Sequence, residues 1–192
     1  MTISHHTSRE TGQASPLYIF VVASLLFLAL AFFAVGQAGA TRNGAQSAAD
    51  AAALAAAREQ RDSFDLTIDD LGDLLDGALI PTLDGCGASH HYAGQNKANV
   101  AECRPLDDGR WGSRVSVTSQ KPVGDTILPG TDNLTAEATA TAIVVPRCSF
   151  DPADDDSAPS PGSLDCEGDV MDLDPTDLPD MSDLFDVRLA ED

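Results

Sequence analysis

The chain has 192 residues, with 31 acids against 11 bases and a formal net charge of −20. That length holds one modest domain with appendages, and the absence of a basic face argues against a nucleic-acid-binding role. The charge is unevenly spread: residues 1–41 are neutral overall, residues 42–150 carry 15 acids and 9 bases, and residues 151–192 carry 15 acids and only Arg188.

Residues 1–15 read as a polar N-terminal tail, in which His5 and His6 belong to a solvated terminus rather than a metal site. From Leu17 to Val35 the only polar side chains are Ser24 and the hydroxyl of Tyr18. About 20 such residues cross roughly 30 Å of hydrocarbon as a helix. Ser15 is a good N-cap and Pro16 suits the first helical position. The pattern therefore predicts a transmembrane helix over 16–36. A cleaved signal peptide is the rival, since Ala38-Gly39-Ala40 is an A-x-A site. Against it, the apolar run exceeds the length of an ordinary signal core, and the helical pattern continues through the site. Arg9 and Arg42 flank the span one on each side and barely orient it. The four cysteines and most of the acids follow the span. This places the N-terminus in the cytoplasm and the C-terminal part outside, in an oxidising space.

Residues 37–62 read as an alanine-rich continuation of the same helix. Every fourth residue from Gly36 is small: Gly36, Ala40, Gly44, Ala48, Ala52 and Ala56. On a helix these positions form one ridge, and small residues at this spacing let two helix backbones approach closely. Each glycine costs about 1 kcal/mol of helix propensity against alanine, a loss that close packing offsets. The six residues are therefore the candidate helix-packing site, for homo- or hetero-oligomers. A plain alanine-rich helix gives much of the same stripe. As one helix, residues 16–62 would be about 70 Å long.

Two stretches flanking the span carry a resemblance: Arg9-Glu10-Thr11-Gly12-Gln13-Ala14 before it, and Arg42-Asn43-Gly44-Ala45-Gln46-Ser47-Ala48-Ala49-Asp50-Ala51-Ala52-Ala53-Leu54-Ala55-Ala56-Ala57 after it. Together they resemble the N-terminal region of TadE/TadG-like proteins of the Tad (Flp, type IVb) pilus-assembly system, most nearly the actinobacterial TadG-related type. The resemblance covers about residues 9–60. It implies a pilin-like anchored component of a pilus-assembly or secretion apparatus, with the bilayer and other pilin-like or Tad-apparatus membrane proteins as partners. Leu17 stands where processed prepilins, counted from Gly12, carry a glutamate, which counts against prepilin-type processing. No D-x-S-x-S motif is present, so a von Willebrand A-type domain is not carried over.

Residues 63–148 read as a small extracytoplasmic α+β domain. Leu71, Leu74, Leu75, Ala78 and Leu79 share a face of a helix over 63–80, ended by Pro81. Residues 82–108 are glycine-rich and polar, as in a loop. Arg110–Gln120 alternates as a strand, Lys121-Pro122-Val123-Gly124 reads as a turn, and Asn133–Val145 is a second strand. Four cysteines allow three pairings. Cys86–Cys103 with Cys148–Cys166 closes two short loops and is the expected set, though sequence alone leaves the choice open. Disulfides would supplement a thin core.

Residues 149–192 read as a disordered acidic tail, rich in Asp, Pro, Ser and Gly. Met181, Leu184, Phe185 and Leu189 recur at helical spacing inside it, as in a short partner-binding helix. His90 and His91 are more simply a polar loop than a zinc site. Asp172-Leu173-Asp174-Pro175-Thr176-Asp177 lacks the glycine and glutamate of a calcium loop. No P-loop, G-x-S-x-G or H-E-x-x-H occurs. The expectation is a structural, non-enzymatic, single-pass membrane protein without cofactors. The alternative is a secreted or surface-tethered acidic binding protein with a cleaved signal peptide.

Overall fold

A single helix, α1, runs unbroken from Ala14 to Asp62 in the computed structural model, which describes residues 14–122, 133–155 and 160–191. The N-terminal tail through Gln13, with His5 and His6, and the Val123-Gly124 half of the expected turn lie outside those residues. After α1 come α2 (Ile68–Leu75), α3 (Cys86–Gln95), β1 (Ala98–Pro105), β2 (Gly112–Ser119) and β3 (Glu137–Pro146). They are followed by β4 (Cys148–Pro152), β5 (Gly162–Cys166), β6 (Asp169–Asp172), the single turn α4 (Met181–Leu184) and β7 (Phe185–Leu189). All strand pairings are antiparallel, in a four-stranded sheet of order β1-β2-β3-β7 and a three-stranded sheet β4-β5-β6. The fold is mixed α+β, a long N-terminal helix followed by a small disulfide-bonded sheet domain.

The second half of α1 is the centre of that domain. Ala45, Ala48, Ala49, Ala52, Ala53, Ala56, Ala57 and Gln60 are buried, and their spacing of three and four traces one helix face. That face lies on the larger sheet, closest to β3 and flanked by β2 and β7. Strand register explains why the fit is close. Ala138, Ala140 and Ala142 of β3 stand opposite Val117, Val115 and Ser113 of β2, and these pairs share the covered face, because opposed residues in a ladder point the same way. Alanine methyls on the helix thus meet alanine methyls on the strand. The other sheet face carries Arg114, Ser116, Thr118, Thr139 and Thr141, with Ser116 and Thr139 hydroxyls 2.8 Å apart.

Two contacts fix the direction of the helix over the strand. Gln46 Nε2 donates to the Thr139 carbonyl at 3.5 Å, and Arg61 Nη1 donates to the Phe185 carbonyl at 3.1 Å; Phe185 is paired with Pro146. Between these points α1 rises about 22 Å and β3 advances about 24 Å. Helix and strand therefore run side by side in the same direction. At the far end, Trp111 packs edge-on against Phe185 (5.3 Å between centroids) and Phe64 (6.2 Å).

The segment expected to be a disordered acidic tail is instead folded over its described residues. β7 forms the fourth strand of the larger sheet, and β4, β5 and β6 form the smaller one. Met181, Leu184, Phe185 and Val187 are buried, as is Leu164. The charged residues do not oppose this in β7, where Asp186 and Arg188 are exposed while Phe185 and Val187 face the core. The helical spacing of Met181, Leu184 and Phe185 yields only one turn. The chain then extends, since ladder pairing with β3 satisfies the backbone that a free helix end would leave open. Residues 82–108, expected as a loop, contain α3 and β1, and the helix expected over 63–80 is confined to Ile68–Leu75.

Both expected disulfides are formed, Cys86–Cys103 and Cys148–Cys166, at sequence separations of 17 and 18. The first ties α3 to β1; the second joins directly paired residues of β4 and β5. Loops of this length each contribute about 3 kcal/mol in the chain-entropy account.

Close helix–strand packing predicts that Ala52→Leu, at a fully buried position, lowers stability by about 1–3 kcal/mol through overpacking. Denaturant unfolding followed by fluorescence of Trp111, the single tryptophan, measures it. An unchanged midpoint would mean that the helix is not seated against the sheet.

Candidate functional site

The residues with a functional reading lie along α1, and the structure divides them into two environments. From Leu17 to Val35 the large side chains point outward all round the helix. Leu17, Phe20 and Phe32 are 67%, 71% and 75% exposed, so no part of the described chain covers them. Two side-chain hydroxyls along the first half of α1, those of Ser24 and Thr41, bond back into the helix. Ser24 Oγ donates to the Phe20 carbonyl at 2.8 Å and Thr41 Oγ1 to the Gln37 carbonyl at 3.1 Å, which suits an apolar surrounding. Among the described residues this is the one helix long and apolar enough to cross a membrane.

The six-residue stripe is split at Gly44. Gly36, Ala40 and Gly44 are exposed, and a Cβ added at Gly36 or Gly44 would meet nothing within 4 Å. Ala48, Ala52 and Ala56 are fully buried against the chain's own sheet. The lower half of the stripe is therefore closed to a second helix. Its small side chains serve the fold, and only the upper half remains open to lateral packing. Sequence could not separate the two, because both halves obey the same spacing.

Where α1 leaves the sheet it holds α3. Glu59 Oε2 accepts a hydrogen bond from the Ala88 amide at 2.6 Å, and Asp84 Oδ1 accepts from the Cys86 amide at 2.9 Å. Two carboxylates thus meet the free amides and positive end of α3. Gln60, fully buried, donates from Nε2 to the Leu83 carbonyl at 2.5 Å. Gly85 is required in this approach, because a methyl there would strike the Ala56 carbonyl. Neither Glu59 nor Gln60 stood out in the sequence, where they mark a polar helix end; a glutamine buried beside alanines is visible only in the fold. Between α1 and α3 lies an open groove of about 470 Å³, lined by Ala51, Leu54, Ala55, Arg58, Ala88 and Tyr92.

His90 and His91 sit on α3, where His91 Nε2 lies 2.7 Å from Gln95 Nε2, and among the described residues no three metal-ligating side chains converge. Asp174 lies in a tight turn rather than a cation loop. Thr176 donates to its Oδ1 from both hydroxyl and amide, holding the carboxyl below its usual range. Hydrogen bonding from Arg110 does the same for Asp108. Beside the Cys148–Cys166 bridge, Arg147 Nη2 meets Glu167 Oε2 at 3.0 Å. That hydrogen bond lowers the Glu167 pKa and raises that of Arg147.

Residues 12–59, 48 of the 192, match the family model Tad, which describes Flp pilus-assembly TadE/G-like proteins. The matched stretch is α1 almost end to end, and it makes this part of the chain TadE/G-like, associated with Flp pilus assembly. No curated protein and no solved structure matches the chain.

The electrostatics yield a pH prediction. A carboxylate held below its unfolded pKa contributes stability that is present above the unfolded value and lost as pH falls through the folded one. Glu167→Gln should therefore lower the melting temperature at pH 7 by at most a few degrees, since both partners are exposed. The deficit should shrink as pH falls below the ordinary glutamate range and through the lowered folded-state value. Thermal melts of both proteins across pH 2–7 check it; a deficit that grows on acidification would contradict the assigned pair.

Proposed function

We propose that the chain is a single-pass, pilin-like structural component of a Tad/Flp-type pilus-assembly or secretion apparatus, anchored by α1 with its N-terminus cytoplasmic and its sheet domain outside. The observation that carries this reading is the two-part helix. Its first half exposes apolar side chains on every side, its second half is built into the domain, and the whole matches the TadE/G-like model. A helix hydrophobic all round needs an apolar surrounding. Because the same helix is a core element, the sheet domain is carried rigidly at the end of the anchor. The role is structural and non-enzymatic, as the family association supports.

The exposed part of the stripe is the lateral contact for other pilin-like or Tad-apparatus helices: Gly36, Ala40 and Gly44 at the head of the sheet domain. Ala48, Ala52 and Ala56 act indirectly, by fixing the domain's position relative to that contact. A Cβ at Gly36 or Gly44 meets nothing within 4 Å and both positions are exposed, so the domain should fold unchanged. The double variant Gly36→Leu/Gly44→Leu should insert normally and keep its melting temperature, yet lose most of its crosslinking to neighbouring anchored chains. Crosslinking at the unaltered level would remove the lateral role.

One observation favours the second reading, a secreted acidic binding protein. The core face of α1 begins at Ala45, beyond Ala38-Gly39-Ala40, so cleavage after Ala40 would leave the sheet domain whole. The mass of the mature protein from its own host decides between them. An uncleaved chain in membranes is the expected result, and a chain beginning at Thr41 free in the medium would replace the anchor with a signal peptide.

A further inference from the structure

The chain has only two lysines, Lys97 and Lys121, and the fold brings both to one end of the sheet. Lys97 precedes β1 and Lys121 follows β2, and the two turns are joined where the Gln120 amide donates to the Lys97 carbonyl at 2.9 Å. Ser119 Oγ donates to the Lys121 carbonyl at 2.7 Å, fixing the second turn. Lys97 itself holds a left-handed backbone conformation, φ 61°, a conformation uncommon outside glycine. Both side chains are exposed, and among the described residues no carboxylate lies within ion-pair distance of either. In a chain of net charge −20, two ammonium groups on one edge with no carboxylate partner among the described residues stand apart.

Their height along α1 follows from the parallel run of helix and strand. The Ser119 amide donates to the Ala136 carbonyl, so these turns lie about 10 Å before Thr139 along β3. Thr139 is level with Gln46. Ten ångströms back along α1 is about seven residues, which is the level of Gly39. The apolar run ends at Val35, so a level near Gly39 falls about 6 Å beyond the hydrocarbon, within the headgroup layer. Arg42 of α1, exposed, adds a third cation at nearly the same level. The acids on the neighbouring described elements are Glu137 at the start of β3, Glu102 further along β1, and on α1 Asp50, Glu59 and Asp62, of which Asp50 accepts from Gln46 Nε2 at 2.8 Å.

We infer that Lys97 and Lys121, with Arg42, form a membrane-facing basic rim that docks the sheet domain on the anionic headgroups of the lipid bilayer. The inference rests on the anchored reading of α1. Charge complementarity and continuity with the apolar span favour lipid over any other occupant. The rim also offsets the repulsion that a strongly acidic domain meets at an anionic surface.

The two ε-amines are their own reporters. Full-length protein is reconstituted into phosphatidylcholine vesicles or vesicles with 30% phosphatidylglycerol, floated, and labelled with an amine-reactive ester; each site is read by mass spectrometry. Expected is slower labelling of both lysines in the anionic vesicles, by roughly fivefold, the gain of a lysine near an anionic leaflet, reversed by high salt. Equal labelling in both lipids, with the protein floating, would overturn the rim and leave the anchor standing. Protection that follows protein density rather than lipid charge would overturn it in favour of a second copy of the acidic chain. Failure to float in either lipid would overturn the anchored reading, and the rim with it.

Discussion

The close seat of the α1 alanine face on β3 is the constraint from which the rest of the structure follows. Alanine on the helix and alanine on the strand leave no side chain long enough to hold the two backbones apart. Contact at that distance is stabilised by dispersion and apolar burial spread over many small groups rather than by a few large ones. It is also intolerant, since no long side chain is present to change rotamer and make room. Larger residues stand at the margins of the contact, with Val115 and Val117 on β2 and Val187 on β7, while Trp111, Phe64 and Phe185 close its far end. The arrangement resembles a wedge: thin where helix crosses strand, thick where aromatic rings seal the side.

One helix therefore serves two surroundings, and its composition changes where the surroundings change. Up to Val35 large apolar residues occur at every angle, as an isotropic apolar medium requires. From Ala45 onward the buried face is built from alanine methyls, and Leu54 is the one large apolar side chain, only partly buried. Between them, Gly36, Gly39, Ala40 and Gly44 form a narrow neck that touches neither the sheet nor a large side chain. Glycines there cost helix propensity, and among the described residues no neighbour packs within 4 Å of a Cβ built on them to offset that cost. The alanines below have their reason in the fold; for the neck, the proposed lateral contact with another helix is what would offset the cost.

The sequence made much of this legible, and unevenly. The span and the unbroken helix followed from periodicity and the absence of breakers. The strands β2 and β3 followed from alternation, and the two cysteine pairs formed are the expected short-loop set, a choice that sequence alone leaves open. What stayed hidden was structure that owes little to local preference. α3 is a glycine-containing polar segment that no propensity would nominate; Glu59, Gln60, Asp84 and the Cys86–Cys103 bridge hold it in place. β7 lies in a stretch so acidic that its average composition reads as disordered. Yet Phe185 and Val187 need only alternate inward for the intervening Asp186 and Arg188 to remain in water. Averages of charge report whether a segment is soluble, not whether its few apolar residues are in register with an open strand edge. The stripe divides: of six equivalent positions along the sequence three are buried in the fold and three are exposed, because helix spacing says which residues share a face but not what lies opposite.

Rigidity is the consequence that bears most directly on assembly. A domain joined to its anchor through a flexible linker samples many orientations, and ordering it on association costs entropy. Here no linker intervenes. α1 passes from the neck into the core without a break, and the domain cannot turn about the helix without exposing buried positions from Ala45 to Gln60 and opening the larger sheet's covered face. Any contact made at Gly36, Ala40 and Gly44 therefore fixes the orientation of the whole sheet domain, and any contact made by the domain fixes the rotation of the helix in its surroundings. The two are coupled through the alanine seat, so an association that suits both costs little further ordering, and one that suits only a single end is opposed by the other. In this way a surface of methyl groups, with no specificity of its own, turns a generic helix contact into a directional one.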